Sequence, residues 1–455
     1  MKLKFMFINA VDPNRGFEIG WPPLGLGYLA SSIRKQFGSD LVEFKTVSRD
    51  IAREVNSFKP DIVGITSVSQ NYNRAIKHAQ TCKKYDLPVI IGGPHISALP
   101  STLTSDMDVG VIEEGEETII DLLSLFLKRG CFDKGELHNV DGIVFRRDNE
   151  LVITKKRQLI QPLDKIPMPA RDILSTGKRA YMVTSRGCPY RCIFCHTSAF
   201  WERTRYFSAK YVVSEIKQLV EEYGVKTIGF EDSLFIADKE RLRQIVELLE
   251  EEAILGRVRF SYCSARANLV NDEIAQLLKR MQMNGISLGL ESASPHILQY
   301  LKGKSITVQD NMNAIKTAKK YGIESGATFI IGSPQETRED ILQTLRFIKE
   351  APLASSKVSF LTPLPGTTLW EYAKTRNLVS DHMDWDILDI NPAQNKNAII
   401  LSERLTREEL MSYLPLFRKA VIMKALKHAL ENPVRIPGIL LEASKRLLRG
   451  ELLGW

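Results

Sequence analysis

The stretch TSRGCPYRCIFCHTSAF, Thr184–Phe200, holds three of the chain's six cysteines within eight positions. Cys188, Cys192 and Cys195 are spaced C-x3-C-x2-C and follow a short strand pattern, AYMVTSRG. A structural zinc site takes four ligands, commonly from paired C-x2-C units, and no second pair completes one here. His196 could join such a site only with strained local geometry. Soft thiolates suit iron–sulfur clusters. A cubane held by three protein thiolates keeps one iron open to a substrate or cofactor, so stopping at three creates a site. Cys188, Cys192 and Cys195 are therefore the candidate metal ligands, for a 4Fe-4S cluster.

Downstream of this stretch, strand patterns recur at KTIGFED, RFSYCSA, GISLGLES, GATFIIGS and KVSFLTPL, with helical patterns between them. Six strands alternating with helices predict a parallel β/α barrel, complete or partial, with its active site at the carboxyl ends of the strands. Upstream, the first ~130 residues alternate short apolar strands with amphipathic helices, which predicts a doubly wound, Rossmann-like parallel sheet. Ligands of such sheets also sit at strand carboxyl ends. The notable residues fall there: Pro22–Gly27, Ser67–Tyr72, Gly92–His95 and Glu113–Glu116. The expected division is a Rossmann-like domain (1–132), a linker with a small hairpin and a Pro-punctuated connector (133–175), the barrel (176–375) and a mainly helical extension (376–455).

Composition agrees with a globular α/β protein: 44% of residues are hydrophobic and 25% charged. No apolar run approaches the ~20 residues of a spanning helix. The N-terminal KLKFMFIN reads as a first strand and not as a signal peptide, so the expected location is the cytoplasm. Six cysteines in 455 residues make no disulfide framework. Cys82, in a helix pattern, and Cys263, in a strand pattern, read as buried small hydrophobes. The formal charge is +8, and residues 415–455 carry eight Lys or Arg against three Glu. No long basic stripe appears, and no nucleic-acid partner is expected. In the last segment Glu442, Lys445, Arg446 and Arg449 share one helical face, with Leu440, Leu441, Leu447 and Leu448 elsewhere on the wheel. One reading is a helix packed on the barrel. The other is peripheral membrane contact, with Trp455 at the interface.

RGCPYRCIFC after a strand resembles the radical S-adenosylmethionine superfamily. The resemblance implies that the open iron chelates S-adenosylmethionine and that one electron cleaves the sulfonium to a 5′-deoxyadenosyl radical. Other segments follow in the family's order. GFED resembles the element that receives the methionyl ammonium, with Gly229 and Glu231 in the matching positions and Phe230 replacing a glycine. LGLES places Glu291 at the ribose-contacting position. FIIGSPQET resembles the family's glycine-bearing element that approaches adenine, with Gly332 in the matching position, and Phe194 stands where the family often has an aromatic residue beside adenine. PPLGLGYLAS, PDIVGITSVSQNY, PVIIGGPHISALP and VIEEGEETI resemble the cobalamin-binding half of cobalamin-dependent members. That likeness implies cobalamin contacts from Pro23, Leu24, Gly25, Ser67, Val68, Ser69, Tyr72, Gly92, Gly93, Pro94, His95, Glu114 and Gly115. The older D-x-H-x-x-G cobalt-ligand motif is absent, and His95 is expected as a loop residue that does not ligate cobalt.

Together these resemblances, covering roughly residues 1–375, imply a methyltransferase acting on an unactivated centre of a small-molecule or lipid substrate. Its electron donor would be a flavodoxin or ferredoxin. Radical oxidation, cyclisation, dehydration or rearrangement without methyl transfer is the enzymatic alternative. A corrinoid carrier or sensor is the alternative of another class.

Overall fold

The computed structural model describes residues 2–12, 22–148, 150–389 and 397–431. The tail residues Leu440–Trp455 lie outside them. The chain forms two compact units: Met1–Gly177 with Ala199–Phe207 and Lys374–Asp386, and Lys178–Ser198 with Ser208–Ala373 and Ile387–Trp455.

In the first unit, β1 (Leu3–Asn9), β2 (Val42–Val47), β3 (Ile62–Thr66), β4 (Val89–Gly92) and β5 (Val109–Val111) run parallel. Two more strands, β6 (Ile143–Arg147) and β7 (Glu150–Ile153), add antiparallel, giving the order β2-β1-β3-β4-β5-β6-β7. Phe5, Met6, Phe7 and Ile8 are all buried in the central β1. A strand covered on both faces by helices reads as such a continuous apolar run. Phe7 stacks on Phe44 with centroids 5.6 Å apart, and burying each such ring contributes roughly 1.5–3 kcal/mol. Helix α1 (Leu24–Phe37) packs beside α5 (Glu116–Arg129), and α2 (Ile51–Phe58) packs beside α3 (Tyr72–Lys83). The order reverses between β1 and β3, the switch point at which sheets of this winding open a ligand crevice.

The segment expected as a linker is part of this unit. Ile143, Val144 and Phe145 are buried, and the hairpin extends the sheet from β5 through Val109↔Phe145 and Val111↔Ile143. The proline-punctuated stretch behind it also packs inward: Leu163, Ile166 and Ala170 are buried, and Ala170 N–H donates to Gly27 O at 3.0 Å. A Cβ at Gly27 would meet Leu174 Cδ1 at 2.8 Å, so a glycine permits this approach.

The second unit is a parallel partial barrel. Its strands are Arg179–Met182, Thr227–Phe230, a third broken into Arg259–Phe260 and Cys263–Ala265, then Gly285–Glu291, Glu324–Ile331 and Ser355–Phe360. The break falls at Ser261–Tyr262, yet the ladder continues there. Ser261 N–H donates to Ile228 O at 2.8 Å, and Phe230 N–H to Tyr262 O at 3.0 Å. Sequence-coded caps start the outer helices. Ser208 and Asp238 cap Ala209–Glu221 and Lys239–Glu251, while Thr307 with Asp310 and Thr337 with Asp340 form capping boxes on Val308–Lys320 and Arg338–Glu350. The long helix Arg407–Glu431 packs on Arg338–Glu350 and the sixth strand. Among the described residues no helix is long and apolar enough to cross a membrane.

Candidate active site

The cysteine loop leaves the first barrel strand at Met182 and is pinned at its root. Asp232, buried at the end of the second strand, accepts the Thr184 N–H at 3.0 and 3.1 Å, the Thr184 hydroxyl at 3.0 Å, and the Ser185 hydroxyl. Arg241 donates to Thr184 O at 2.8 Å and to the same hydroxyl. Gly187 turns the chain at φ 92°, a conformation that favours glycine. Further on, Ile193 N–H donates to Leu301 O at 3.1 Å and Leu369 N–H to Ile193 O at 3.3 Å. His196 Nδ1 donates to Pro365 O at 2.9 Å, so this ring is anchored to the loop after the sixth strand.

Cys188, Cys192 and Cys195 are free and half-buried on this loop. Burial pushes the Cys188 and Cys192 thiols up, and the nearby Arg266 charge opposes this at both, joined at Cys192 by Lys302. Metal loading at such thiols releases protons, because the thiolate is the ligand. Among the described residues no three His, Cys, Asp or Glu side chains are arranged to hold a single metal ion. Thiolates at three corners of a cluster do not require that arrangement. Cys82 and Cys263 are buried, the Cys82 thiol pushed up to about 12 by burial and Cys263 raised by the same cause. They are core residues.

The other barrel residues singled out in the sequence stand at strand carboxyl ends, with varied surroundings. Gly229 is enclosed by rings: a Cβ there would meet Tyr181 Cδ1 at 3.0 Å and Tyr262 Cε1 at 3.1 Å. Glu231 accepts the Tyr262 hydroxyl, and burial raises its carboxyl. Glu291 is buried at φ 60° beside an irregularity in the strand register, and faces the Lys302 ammonium at 3.6 Å. Burial raises its carboxyl and the Lys302 charge opposes the rise. Gly332, at φ 87°, donates its N–H to Glu336 at 2.5 Å, and the same oxygen accepts Ser333 N–H at 3.2 Å. Phe194 is half-buried in the cysteine loop.

The sequence reading missed Asp232, Glu336 and Arg266. The first two were visible as acids inside GFED and GSPQE, but nothing local assigned them to bracing the loops. Arg266, just after the third strand, donates to Cys192 Sγ at 3.5 Å.

In the first unit the candidate residues also gather at the carboxyl end of the sheet. Pro23, Leu24 and Gly25 open α1; Ser67, Val68 and Ser69 follow β3, and Tyr72 starts α3. Gly92 ends β4. Gly93 sits at φ 99°, where a Cβ would lie 2.8 Å from Thr66 Oγ1 and 2.9 Å from Ser67 O. Only glycine lets these two loops approach so closely. Gly115 precedes α5.

Three side chains of this set face inward. His95 was expected in a loop but lies on the short helix α4 (Pro94–Ala98), wholly buried. Its Nδ1 meets Ser69 Oγ and its Nε2 meets Thr102 Oγ1, both at 3.0 Å. The Tyr72 ring stacks on it at 3.7 Å, and Trp385 meets it edge-on at 4.4 Å. Tyr72 donates its hydroxyl to Thr102 O at 2.8 Å, and burial pushes that phenol up to about 12. Glu114 gives its carboxylate to Arg205 at 2.9 and 3.0 Å and to Ile160 N–H at 2.7 Å. Ala199–Phe207 and Lys374–Asp386, assigned from sequence to the barrel and the C-terminal extension, belong to the first unit through contacts of this kind.

Comparisons with known proteins agree with both units. Residues 17–123 match the B12 binding domain, and residues 182–348 match the radical SAM superfamily. The uncharacterized methyltransferase PH0819 of Pyrococcus horikoshii is 36% identical over 80% of this chain and 81% of its own. The anaerobic magnesium-protoporphyrin IX monomethyl ester cyclase of Rubrivivax gelatinosus is 27% identical over 89% and 76%. The radical S-adenosylmethionine methyltransferase TsrM of Kitasatospora setae, solved with cobalamin and a [4Fe-4S] cluster, shares the fold with a TM-score of 0.67 and 19% identity, over 82% of this chain and 75% of that one. The donor set fits these cofactors: three thiols on one strand-end loop with Arg266 at Cys192, and Gly92 and Gly93 at the carboxyl end of a parallel strand. The chain belongs to the cobalamin-binding family of radical S-adenosylmethionine enzymes.

Proposed function

We propose that this enzyme transfers a methyl group to an unactivated centre of a small-molecule or lipid substrate. The observation that carries the reading is the presence, in one chain, of a three-cysteine barrel loop and a B12-binding sheet, in a chain similar to a methyltransferase over most of its length. When bound, the cluster and S-adenosylmethionine supply a 5′-deoxyadenosyl radical and cobalamin supplies the methyl group. The chain's own part is to hold and orient. Cys188, Cys192 and Cys195 hold the cluster, while Asp232 and Arg241 fix the loop that carries them. Glu231, Glu291 and Gly332, with Phe194, are the residues proposed to meet S-adenosylmethionine. Gly92, Gly93 and the Ser67–Ser69 turn would line the corrin site. Because His95 spends both ring nitrogens on Ser69 and Thr102, it supports a cobalamin bound without this histidine on cobalt. A flavodoxin- or ferredoxin-like protein would deliver the electron.

The test is anaerobic reconstitution with iron, sulfide, cobalamin and S-adenosylmethionine, then mass spectrometry on candidate substrates. 5′-Deoxyadenosine together with S-adenosylhomocysteine supports methyl transfer. 5′-Deoxyadenosine alone, with a substrate consumed but not methylated, would instead favour the non-methylating chemistry suggested by the cyclase relative.

A further inference from the structure

Arg266 follows the third barrel strand and is only 5% exposed. Its guanidinium is fully directed. Nε donates to Asn268 Oδ1 at 3.1 Å, Nη2 to Lys302 O at 3.3 Å and Ser305 Oγ at 3.1 Å, and Nη1 to Cys192 Sγ at 3.5 Å. Its Cζ lies 3.9 Å from the ring centroid of Tyr190, which stands in sequence midway between Cys188 and Cys192. None of its hydrogen-bond partners is a carboxylate. A buried cation is costly unless paired; the buried Glu291 carboxylate interacts with this charge without hydrogen-bonding it, and the acid-type group that accepts a hydrogen bond from Arg266 is the Cys192 sulfur.

We propose that Arg266 raises the reduction potential of the three-cysteine centre by presenting a fixed positive N–H to the Cys192 sulfur. The proposal rests on the cluster reading above. One-electron reduction adds one negative charge to the cluster and its sulfur ligands. A cation hydrogen-bonded to a ligating sulfur stabilises the reduced form more than the oxidised form, so the potential rises. Asn268, Ser305 and Lys302 O lie outside the cysteine loop and fix the guanidinium from behind. Its orientation therefore does not depend on the cluster's redox state. Arg266 thus acts through Cys192, as a tuning and positioning residue.

The experiment is a potentiometric titration of the reconstituted full-length protein, with dithionite as the one-electron source and electron paramagnetic resonance of the reduced cluster as readout. R266Q should retain iron and titrate at a more negative potential. A tenfold lower ratio of reduced to oxidised cluster at fixed potential corresponds to about 59 mV for a one-electron couple. R266K keeps the charge and should fall between R266Q and wild type. R266Q with full iron and the wild-type potential would overturn the proposal. If R266Q loses iron, S305A loosens the guanidinium without touching the cysteine loop. It should then give a smaller shift of the same sign, and an unchanged potential overturns the proposal. A wild-type protein that takes up no cluster would instead remove the reading beneath it.

Discussion

Asp232 holds the backbone and hydroxyl of Thr184 at 3.0–3.1 Å, across 48 residues of sequence. The end of the second strand thereby fixes the root of the loop that carries the cysteines. Each buried donor left without its acceptor costs about 1–3 kcal/mol. Asp232→Ala should therefore lower thermal stability and iron content together, measured by calorimetry and iron assay after reconstitution. Glu231→Gln, one residue away but turned to Tyr262, should keep its iron. Full iron loading in Asp232→Ala would show that the loop is held by something else.

The bidentate Glu114–Arg205 pair has both side chains 3% exposed. Removing one partner strands the other charge, at a cost of about 3–5 kcal/mol. Glu114→Ala should shift urea unfolding accordingly. The double variant Glu114→Gln with Arg205→Met should recover part of the loss. Additive losses in the double variant would contradict a coupled pair.

Burial raises the Glu336 carboxyl from the ordinary 4.5 to about 8, against the opposing N–H groups of Gly332 and Ser333. A raised acid binds its proton more tightly folded than unfolded, so stability falls as pH rises from about 4.5 to 8 and the loss is complete above that. Glu336→Gln keeps an oxygen for both N–H groups and carries no charge. It should flatten the decline by up to a few kcal/mol between pH 5 and 8. Parallel pH profiles for wild type and variant would mean that Glu336 is not the group responsible.

His95→Ala should lose the stack on Tyr72 and both ring hydrogen bonds, and so lower the melting temperature. The bound cobalamin spectrum should stay base-off in both proteins. A histidine-ligated spectrum in wild type that changes in the variant would overturn the role assigned to His95.

The strand-end positions of the candidate residues were legible in the sequence because those signals are local, while their cofactor roles come from the family resemblance. The spacing of Cys188, Cys192 and Cys195 and the positions of Glu231, Glu291 and Gly332 at strand ends follow from periodicity and short motifs. Gly93 could be placed in the same way. The hairpin Ile143–Ile153 was legible as a hairpin but not as a sheet extension, since a local pattern does not say which edge it joins. Arg205 and Trp385 were assigned away from the first unit because their partners, Glu114 and His95, lie 91 and 290 residues distant. Arg266 escaped for a related reason: its role depends on a cysteine 74 residues away.

The Thr184–Phe200 loop is proposed to hold the cluster that cleaves S-adenosylmethionine. The most direct test is iron, sulfide and 5′-deoxyadenosine measured on reconstituted wild type, on Cys188→Ala, Cys192→Ala and Cys195→Ala singly and together, and on Cys82→Ala and Cys263→Ala. The expected result is one 4Fe-4S cluster per chain with S-adenosylmethionine cleavage in wild type and in the two core variants, and loss of both in every loop variant. Full iron loading in the triple loop variant would contradict it.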